Sequence, residues 1–161
     1  MHAEAAAPSA LVGAVRAGHE LDTARLTEFL ASAMDIAQPI ALAQFNVGQS
    51  NPTYLVTDAR GRRFVLRKKP AGALLSKTAH AVEREFRVLR ALGEHTRVPV
   101  PRVYALCEDA RVVGTPFYLM EYLEGRVLSD IRLPGVAAAE RPRYWRALVD
   151  VLSELHKVDI E

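Results

Sequence analysis

The most regular pattern along the chain is a pair of short apolar runs on either side of a turn. Residues 53–57 (TYLVT) and 64–66 (FVL) are β-branched, aromatic or aliphatic, and such residues favour strands. Between them lies DARG, residues 58–61. Asp at the first turn position can hydrogen-bond nearby backbone, and Gly at the fourth adopts positive φ without strain. The pattern predicts an antiparallel hairpin whose second strand ends in three basic residues, 67–69.

Apolar residues at helical spacing predict three helices. The first begins at Asp22 or Thr23, since both are good N-cap residues. The second covers residues 76–92 and ends at Gly93, and the third covers residues 136–157. Further strands are predicted at residues 40–42, 102–106 and 116–122.

One carboxylate lies on the apolar face of the second predicted helix. In helical projection Glu85 falls within the apolar arc, and a carboxylate turned toward a core is costly unless it is paired. Arg67, Lys68 and Lys69 are the available cations, and alternate residues of a strand point to opposite faces, so one of them can meet Glu85. The alternative is that Glu85 lies at the rim of the arc and reaches water.

A loop rich in small and polar residues precedes the hairpin. Residues 45–52 (FNVGQSNP) would let backbone amides approach an anion such as a phosphate. An ordinary β-turn is the alternative, because the loop is not the Walker A motif GxxxxGK(S/T) and the chain has no GxGxxG.

Composition narrows the class of protein. With 161 residues, 50% hydrophobic, 25% charged and a formal net charge of +2, the chain fits one globular domain and indicates neither nucleic acid nor a membrane as partner. Cys107 is the single cysteine, which excludes an internal disulfide and fits a cytoplasmic location. No run of about eighteen apolar residues occurs, so we predict no membrane span.

Several motifs in this order resemble the aminoglycoside phosphotransferase-like family, and most closely the phosphotransferase domain associated with acyl-CoA dehydrogenases. They are FNVGQSNPTYLV, FVLRKKPAG, EREFRVLRALGEHTRVPVPRVYALCED and FYLMEYLEGRVL. The resemblance implies an α+β fold: a protein-kinase-like N-lobe with an antiparallel five-stranded sheet and one packed helix, preceded by an N-terminal helix and followed by the first C-lobe helix. The expected division is a flexible leader (1–20), the N-lobe (21–125) and the start of a truncated C-lobe (126–161).

The resemblance also implies an ATP site. The residues that it assigns to the nucleotide are Gly48, Gln49, Ser50, Asn51, Arg67, Glu85, Met120, Glu121 and Leu123. The backbone of residues 48–51 would cover the phosphates, and Arg67 would bind the α and β phosphates and pair with Glu85. Lys68 or Lys69 would take that role if the strand register differed.

The linker after the last predicted strand would hold the adenine. The Glu121 carbonyl would accept from the exocyclic amine, the Leu123 amide would donate to the ring, and Met120 would form the back wall.

The family's catalytic loop, approximately HGDxxxxN, does not occur in the sequence. The resemblance therefore implies no catalytic residue and no metal ligand here, with the Mg²⁺ ligands and the small-molecule acceptor site expected beyond residue 161. We expect the nucleotide-binding part of an ATP-dependent phosphotransferase that acts on a hydroxyl of a small molecule or hydroxyacyl thioester, inactive alone. A non-catalytic nucleotide-binding or protein-interaction module is the alternative. Without a C-lobe, the third helix should expose Trp145, Leu148 and Leu152 and favour self-association.

Overall fold

The protein is an α+β fold in which an antiparallel sheet carries helices on both faces. The structure is a computed structural model that describes residues 11–46, 51–72, 80–128 and 130–159. The strands are β1 (Val12–Gly13), β2 (Ala41–Phe45), β3 (Thr53–Thr57), β4 (Arg63–Lys68), β5 (Val103–Cys107) and β6 (Phe117–Glu121). The helices are α1 (Thr23–Ala33), α2 (Val82–His95), α3 (Ala110–Val113) and α4 (Arg141–His156). The strand order in the sheet is β1-β2-β3-β4-β6-β5, and all pairs are antiparallel.

The strand count corrects the prediction of five strands to six. The extra strand, β1, lies within the predicted leader, and Val12 and Gly13 pair with Phe45 and Gln44 of β2. A strand of two residues is too short to show a periodic pattern in the sequence, so β1 can be recognised only from its pairing with β2. The predicted domain boundaries stay predictions.

The turn between β3 and β4 forms as predicted. Gly61 has φ of 77° and its N–H donates to the Asp58 carbonyl at 2.9 Å. The Asp58 side chain is fully buried and accepts from the backbone N–H groups of Ala37, Arg60 and Arg62 at 3.2, 3.0 and 2.9 Å. The Arg62 guanidinium pairs with the same carboxylate at 2.8 Å. This network fixes the register of the hairpin.

The two faces of the sheet differ. One face packs on α1 and forms the core, with Tyr54, Val56, Phe64, Leu66, Phe117 and Leu119 meeting Leu26 and Leu30. On the other face the register places Ala43, Leu55, Val65 and Met120 side by side across β2, β3, β4 and β6. Arg67 and Tyr118 are directly paired and share this second face.

The predicted helices are present, with shifted ends. Asp22 caps α1 by accepting from the Arg25 N–H at 3.0 Å. Of the residues predicted to begin the second helix, 76–79 lie outside the described residues, and α2 begins at Val82. It continues through Gly93, and Thr96 ends it by donating its N–H and hydroxyl to the Leu92 carbonyl. The helix was predicted to end at Gly93, and it instead continues to His95.

The region between β5 and β6 and the start of the last helix also differ from the sequence prediction. A four-residue helix, α3, occupies the predicted turn, capped by the Asp109 side chain and closed by Gly114 at φ of 89°. The last helix begins at Arg141 rather than at residue 136, with a proline in its first turn. Among the described residues, no helix is both long and apolar enough to cross a bilayer. The location in the cell stays a prediction.

Helix α4 buries none of its residues. Five of its apolar side chains are between 41% and 60% exposed: Trp145, Leu148, Val149, Leu152 and Leu155. The predicted exposure of Trp145, Leu148 and Leu152 is therefore confirmed, at 45%, 49% and 43%.

The exposed side of α4 predicts self-association. We expect light scattering to show a molecular mass that rises with protein concentration, because exposed apolar rows lower the free energy of association. A double change, Leu148→Glu with Leu152→Glu, should return the chain to a monomer, whereas Arg146→Glu should not. A wild-type chain that stays monomeric at high concentration would contradict this prediction.

The buried Asp58 carboxylate predicts a loss of stability in acid. Burial alone would raise the pKa of Asp58, but the hydrogen bonds from Ala37, Arg62 and Arg60 outweigh burial and lower it. A carboxylate whose pKa is lower in the folded state stabilises the fold at any pH above its unfolded-state pKa, which is about 3.9 for Asp. This stabilisation is lost as the pH falls through the folded-state pKa. Asp58→Asn should lower the denaturant midpoint at neutral pH and flatten its fall below about pH 4. The exposed Asp150→Asn is the matched control, and equal effects of the two changes would refute the assignment.

Candidate functional site

The site is built around an ion pair between the sheet and α2. Arg67 is on the second face of β4, and Glu85 is in the first turn of α2, where the apolar arc turns it toward the sheet. Arg67 Nε lies 2.8 Å from Glu85 Oε2, and each side chain is about one-third exposed. The Nε atom itself is buried and its N–H does not point at an acceptor, so the contact is electrostatic rather than a linear hydrogen bond.

The strand register decides which basic residue meets Glu85. Lys68 points to the opposite face, is 9% exposed and donates from Nζ to the Val113 carbonyl at 2.7 Å. Burial lowers the pKa of its ammonium group. Lys69 follows the end of β4, where its backbone bonds to Pro116 and Thr115. Of the three cations left open by the sequence, the structure brings Arg67 to Glu85.

Two further side chains contact the Glu85 carboxylate. Asn51 Nδ2 donates to Oε1 and the Tyr118 hydroxyl donates to Oε2, both at 3.1 Å. His80 Nδ1 lies 2.9 Å from Asn51 Oδ1. Burial, and next the nearby Glu85 charge, raise the pKa of the Tyr118 hydroxyl, so it stays protonated and can donate. Glu85 is therefore held by residues of β4, of β6 and of the segment that precedes β3.

An open cavity of about 470 Å³ adjoins this cluster. Its lining includes Arg67, Glu85, Leu89, Tyr118 and Met120. No hydrogen bond joins the Arg67 guanidinium to another described residue, although a guanidinium carries five N–H donors. The cavity thus presents a partly exposed cation, without a hydrogen bond to another described residue, at one end of an apolar sheet face. That arrangement can bind an anion attached to a flat apolar group.

The residues predicted to hold the adenine lie at the end of β6 and directly after it. Met120 pairs with Val65 and lines the cavity. The Glu121 N–H donates to the Arg102 carbonyl at 2.8 Å, and its carboxylate accepts from the Arg102 N–H at 3.1 Å. Leu123 is 59% exposed, and its N–H has no hydrogen-bond partner among the described residues.

The structure thus brings together part of the predicted site. Asn51, Arg67, Glu85 and Met120 form one cluster, Glu121 ends the strand that borders it, and Leu123 follows that strand. Gly48, Gln49 and Ser50 lie outside the described residues. Their predicted role, and the nucleotide roles of the others, stay predictions.

Sequence reasoning missed Tyr118 and His80. Tyr118 looks like one more apolar residue of a buried strand, and only its register opposite Arg67 shows that its hydroxyl reaches Glu85. His80 lies in a segment predicted to be helical, which hides its contact with Asn51. The signal that could have found them is the inward-facing Glu85, which requires several donors.

A sheet with a paired Arg and Glu behind an open cleft defines a kinase-like N-lobe. The model of the phosphotransferase enzyme family matches residues 41–161. The chain belongs to this family.

Relatives of known sequence support the assignment. The chain is 46% identical over 158 residues to "Probable acyl-CoA dehydrogenase IBR3" of Arabidopsis thaliana, which covers 94% of this chain and 19% of that protein. It is 50% identical over 123 residues to "Acyl-CoA dehydrogenase family member 10" of Mus musculus, covering 76% of this chain and 11% of that protein. The chain therefore spans a fifth or less of the length of these relatives.

A solved structure shares the fold. The "putative aminoglycoside phosphotransferase" of Ralstonia eutropha JMP134 superposes with a TM-score of 0.72 at 40% identity, covering 87% of this chain and 39% of that one. The predicted family resemblance and the kinase-like N-lobe fold are confirmed.

The exposure of the ion pair sets its contribution to stability. In a double-mutant cycle with Arg67→Met and Glu85→Gln, we expect a coupling of about 1 kcal/mol, the upper end for partly exposed pairs. The matched control is Arg87 with Glu108, which are 4.0 Å apart and 71% and 61% exposed. That cycle should give a coupling near zero by chemical denaturation. Equal couplings in the two cycles would contradict the structural difference between the pairs.

Proposed function

We propose that this chain is the nucleotide-binding part of an ATP-dependent phosphotransferase. The observation that carries the proposal is the Arg67 guanidinium, held beside Glu85 at 2.8 Å and without a hydrogen bond to another described residue, at the edge of an open cavity. A phosphate supplies the charged acceptors that such a guanidinium binds most strongly.

The sheet face next to the cavity suits the base and the sugar. Ala43, Leu55, Val65 and Met120 form a continuous apolar surface across four strands, against which a purine ring can lie. The Leu123 N–H, which has no hydrogen-bond partner within the described parts of the chain, is a donor at the border of this surface, and adenine offers a ring nitrogen as acceptor. Small and unbranched side chains at Ala43 and Met120 leave room for a flat ligand.

The described residues contain no group of three His, Cys, Asp or Glu side chains that could hold a metal ion. The sequence also contains no HGDxxxxN motif. We therefore propose that these residues bind and orient ATP, while the groups that hold Mg²⁺ and activate the acceptor come from outside this set. Bound ATP would supply the phosphoryl group for transfer.

The acceptor is proposed to be a hydroxyl of a small molecule, and specifically of a hydroxyacyl thioester. The support comes from the relatives, two of which carry acyl-CoA dehydrogenase in their names. A phosphotransferase domain in such proteins would act most directly on a substrate that shares the thioester.

The proposal predicts nucleotide binding that depends on the Arg67 charge. By isothermal titration calorimetry, the chain should bind ATP, and Arg67→Met should weaken ATP binding by tenfold or more, since a hydrogen bond to a charged group contributes about 1.5–3 kcal/mol. Adenosine binding should change little, because adenosine has no phosphate. No phosphoryl transfer to water or to added hydroxyacyl thioesters is expected from these residues.

The control is Arg87→Met, which removes an exposed arginine of α2 outside the cavity. It should leave both affinities unchanged. A wild-type chain that does not bind ATP would refute the proposal, and binding of ATP that is insensitive to Arg67→Met would refute the role of Arg67.

A further inference from the structure

We propose that Asn51 and Tyr118 are positioning residues, which fix the Glu85 carboxylate and thereby the direction in which Arg67 presents its guanidinium to a phosphate. The phosphate part of this inference rests on the proposed function above. The positioning part concerns the nucleotide-free chain and stands on the geometry alone. It gives the Asn51 side chain a role that differs from the backbone role expected for residues 48–51.

The Asn51 amide can adopt one orientation only. Its Nδ2 faces Glu85 Oε1 at 3.1 Å and its Oδ1 faces His80 Nδ1 at 2.9 Å. Because an ionised carboxylate only accepts hydrogen bonds, the NH₂ end of the amide must face Glu85. The Oδ1 atom then accepts from His80, whose Nδ1 must carry a proton. Asn51 is 6% exposed, so water does not compete freely for these bonds.

Tyr118 holds the other oxygen of the carboxylate. Its hydroxyl lies 3.1 Å from Oε2, the same oxygen that contacts Arg67 Nε. The side chain is 2% exposed and stands directly opposite Arg67 in the register of β4 and β6. A phenol can donate here because the residue is protonated at neutral pH.

Together the two donors lock the carboxylate in place. Asn51 precedes β3 and bonds to Oε1, whereas Tyr118 belongs to β6 and bonds to Oε2. Rotation of the carboxylate about its terminal bond would break both hydrogen bonds at once. Oε2 therefore stays against Nε of Arg67, which fixes the position of the guanidinium at the cavity. Loss of either donor would let the carboxylate rotate and the guanidinium turn with it.

The first test needs no nucleotide. Asn51→Asp keeps the size of the side chain but replaces the NH₂ donor with an oxygen that repels Glu85. In ¹⁵N NMR spectra we expect the Arg67 Nε–H resonance to shift and to exchange faster with water in Asn51→Asp, and to a smaller extent in Tyr118→Phe. Two control variants match these changes. Gln38→Glu makes the same amide-to-carboxylate change on an exposed residue, and Tyr104→Phe removes a hydroxyl without a hydrogen-bond partner among the described residues. Neither control should alter the Arg67 Nε–H resonance.

The reciprocal exchange separates positioning from simple destabilisation. In the double variant Asn51→Asp with Glu85→Gln, the amide introduced at position 85 can donate to the carboxylate introduced at position 51. The hydrogen bond between the two positions then returns with its polarity reversed. The thermal midpoint should recover relative to Asn51→Asp alone, while the Arg67 resonance stays shifted because no carboxylate contacts Nε. Recovery of both readouts would show that the cluster is only structural and would overturn the inference.

The second test uses the ratio of the ATP and adenosine affinities. Asn51→Asp should weaken ATP binding roughly tenfold, as expected for one lost hydrogen bond to a charged group, and leave adenosine binding within about twofold of the wild type. An unchanged Arg67 resonance in nucleotide-free Asn51→Asp overturns the positioning inference. Failure of the wild-type chain to bind ATP, with the resonance shifted as expected, overturns the proposed function instead and leaves the positioning of Arg67 supported.

Discussion

The structure depends on one partly buried charge, the Glu85 carboxylate, at the junction of α2 with the sheet. Removing a carboxylate from water costs several kcal/mol unless donors replace the lost hydration. Here Asn51 and Tyr118 are the donors and Arg67 supplies an opposite charge, and the three residues belong to the segment before β3, to β6 and to β4. The cost of desolvation is therefore offset only when β3, β4, β6 and α2 are all in place. A single polar cluster specifies how the helix sits on the sheet.

The second constraint is the register of the β3–β4 hairpin. Side chains alternate between faces, so a slip of one residue would bring Lys68 to the cavity face and turn Arg67 to the core face. The fully buried Asp58 prevents this slip, because it binds three backbone N–H groups around the turn. The turn lies at the opposite end of the hairpin from the ion pair, and yet it decides which cation reaches Glu85. The stability of the turn and the chemistry of the site are thus linked through strand geometry.

Local signals in the sequence were sufficient for elements whose reasons are local. The β-branched and aromatic residues of 53–57, the DARG turn and the Asp22 cap predicted β3, β4 and the start of α1, because propensity and capping act over a few residues. Elements that depend on distant partners were missed or displaced. Strand β1 exists only through its pairing with β2, and the helical turn after Gly93 forms although glycine usually marks a helix end.

The same division applies to the site. The inward Glu85 was visible from helical periodicity, and the need for a cation followed from electrostatics. The choice among Arg67, Lys68 and Lys69 could not be made from the sequence, since it requires the strand register. The contact of Tyr118 with Glu85 could not be predicted either, because it depends on which residue of β6 lies opposite Arg67. Contacts that join four elements become visible only when the fold places them together.

The chemistry of arginine explains how one side chain can serve both the fold and a ligand. A lysine at position 67 would have a single nitrogen, and its contact with Glu85 would compete with any contact to a phosphate. The guanidinium separates these tasks, because Nε lies against Glu85 while the two terminal nitrogens make no hydrogen bond to another described residue. Its planar shape also matches two phosphate oxygens at once. Arginine at this position therefore allows the ion pair to persist while an anion binds, so a phosphate would add to the charge network without displacing Glu85 from it.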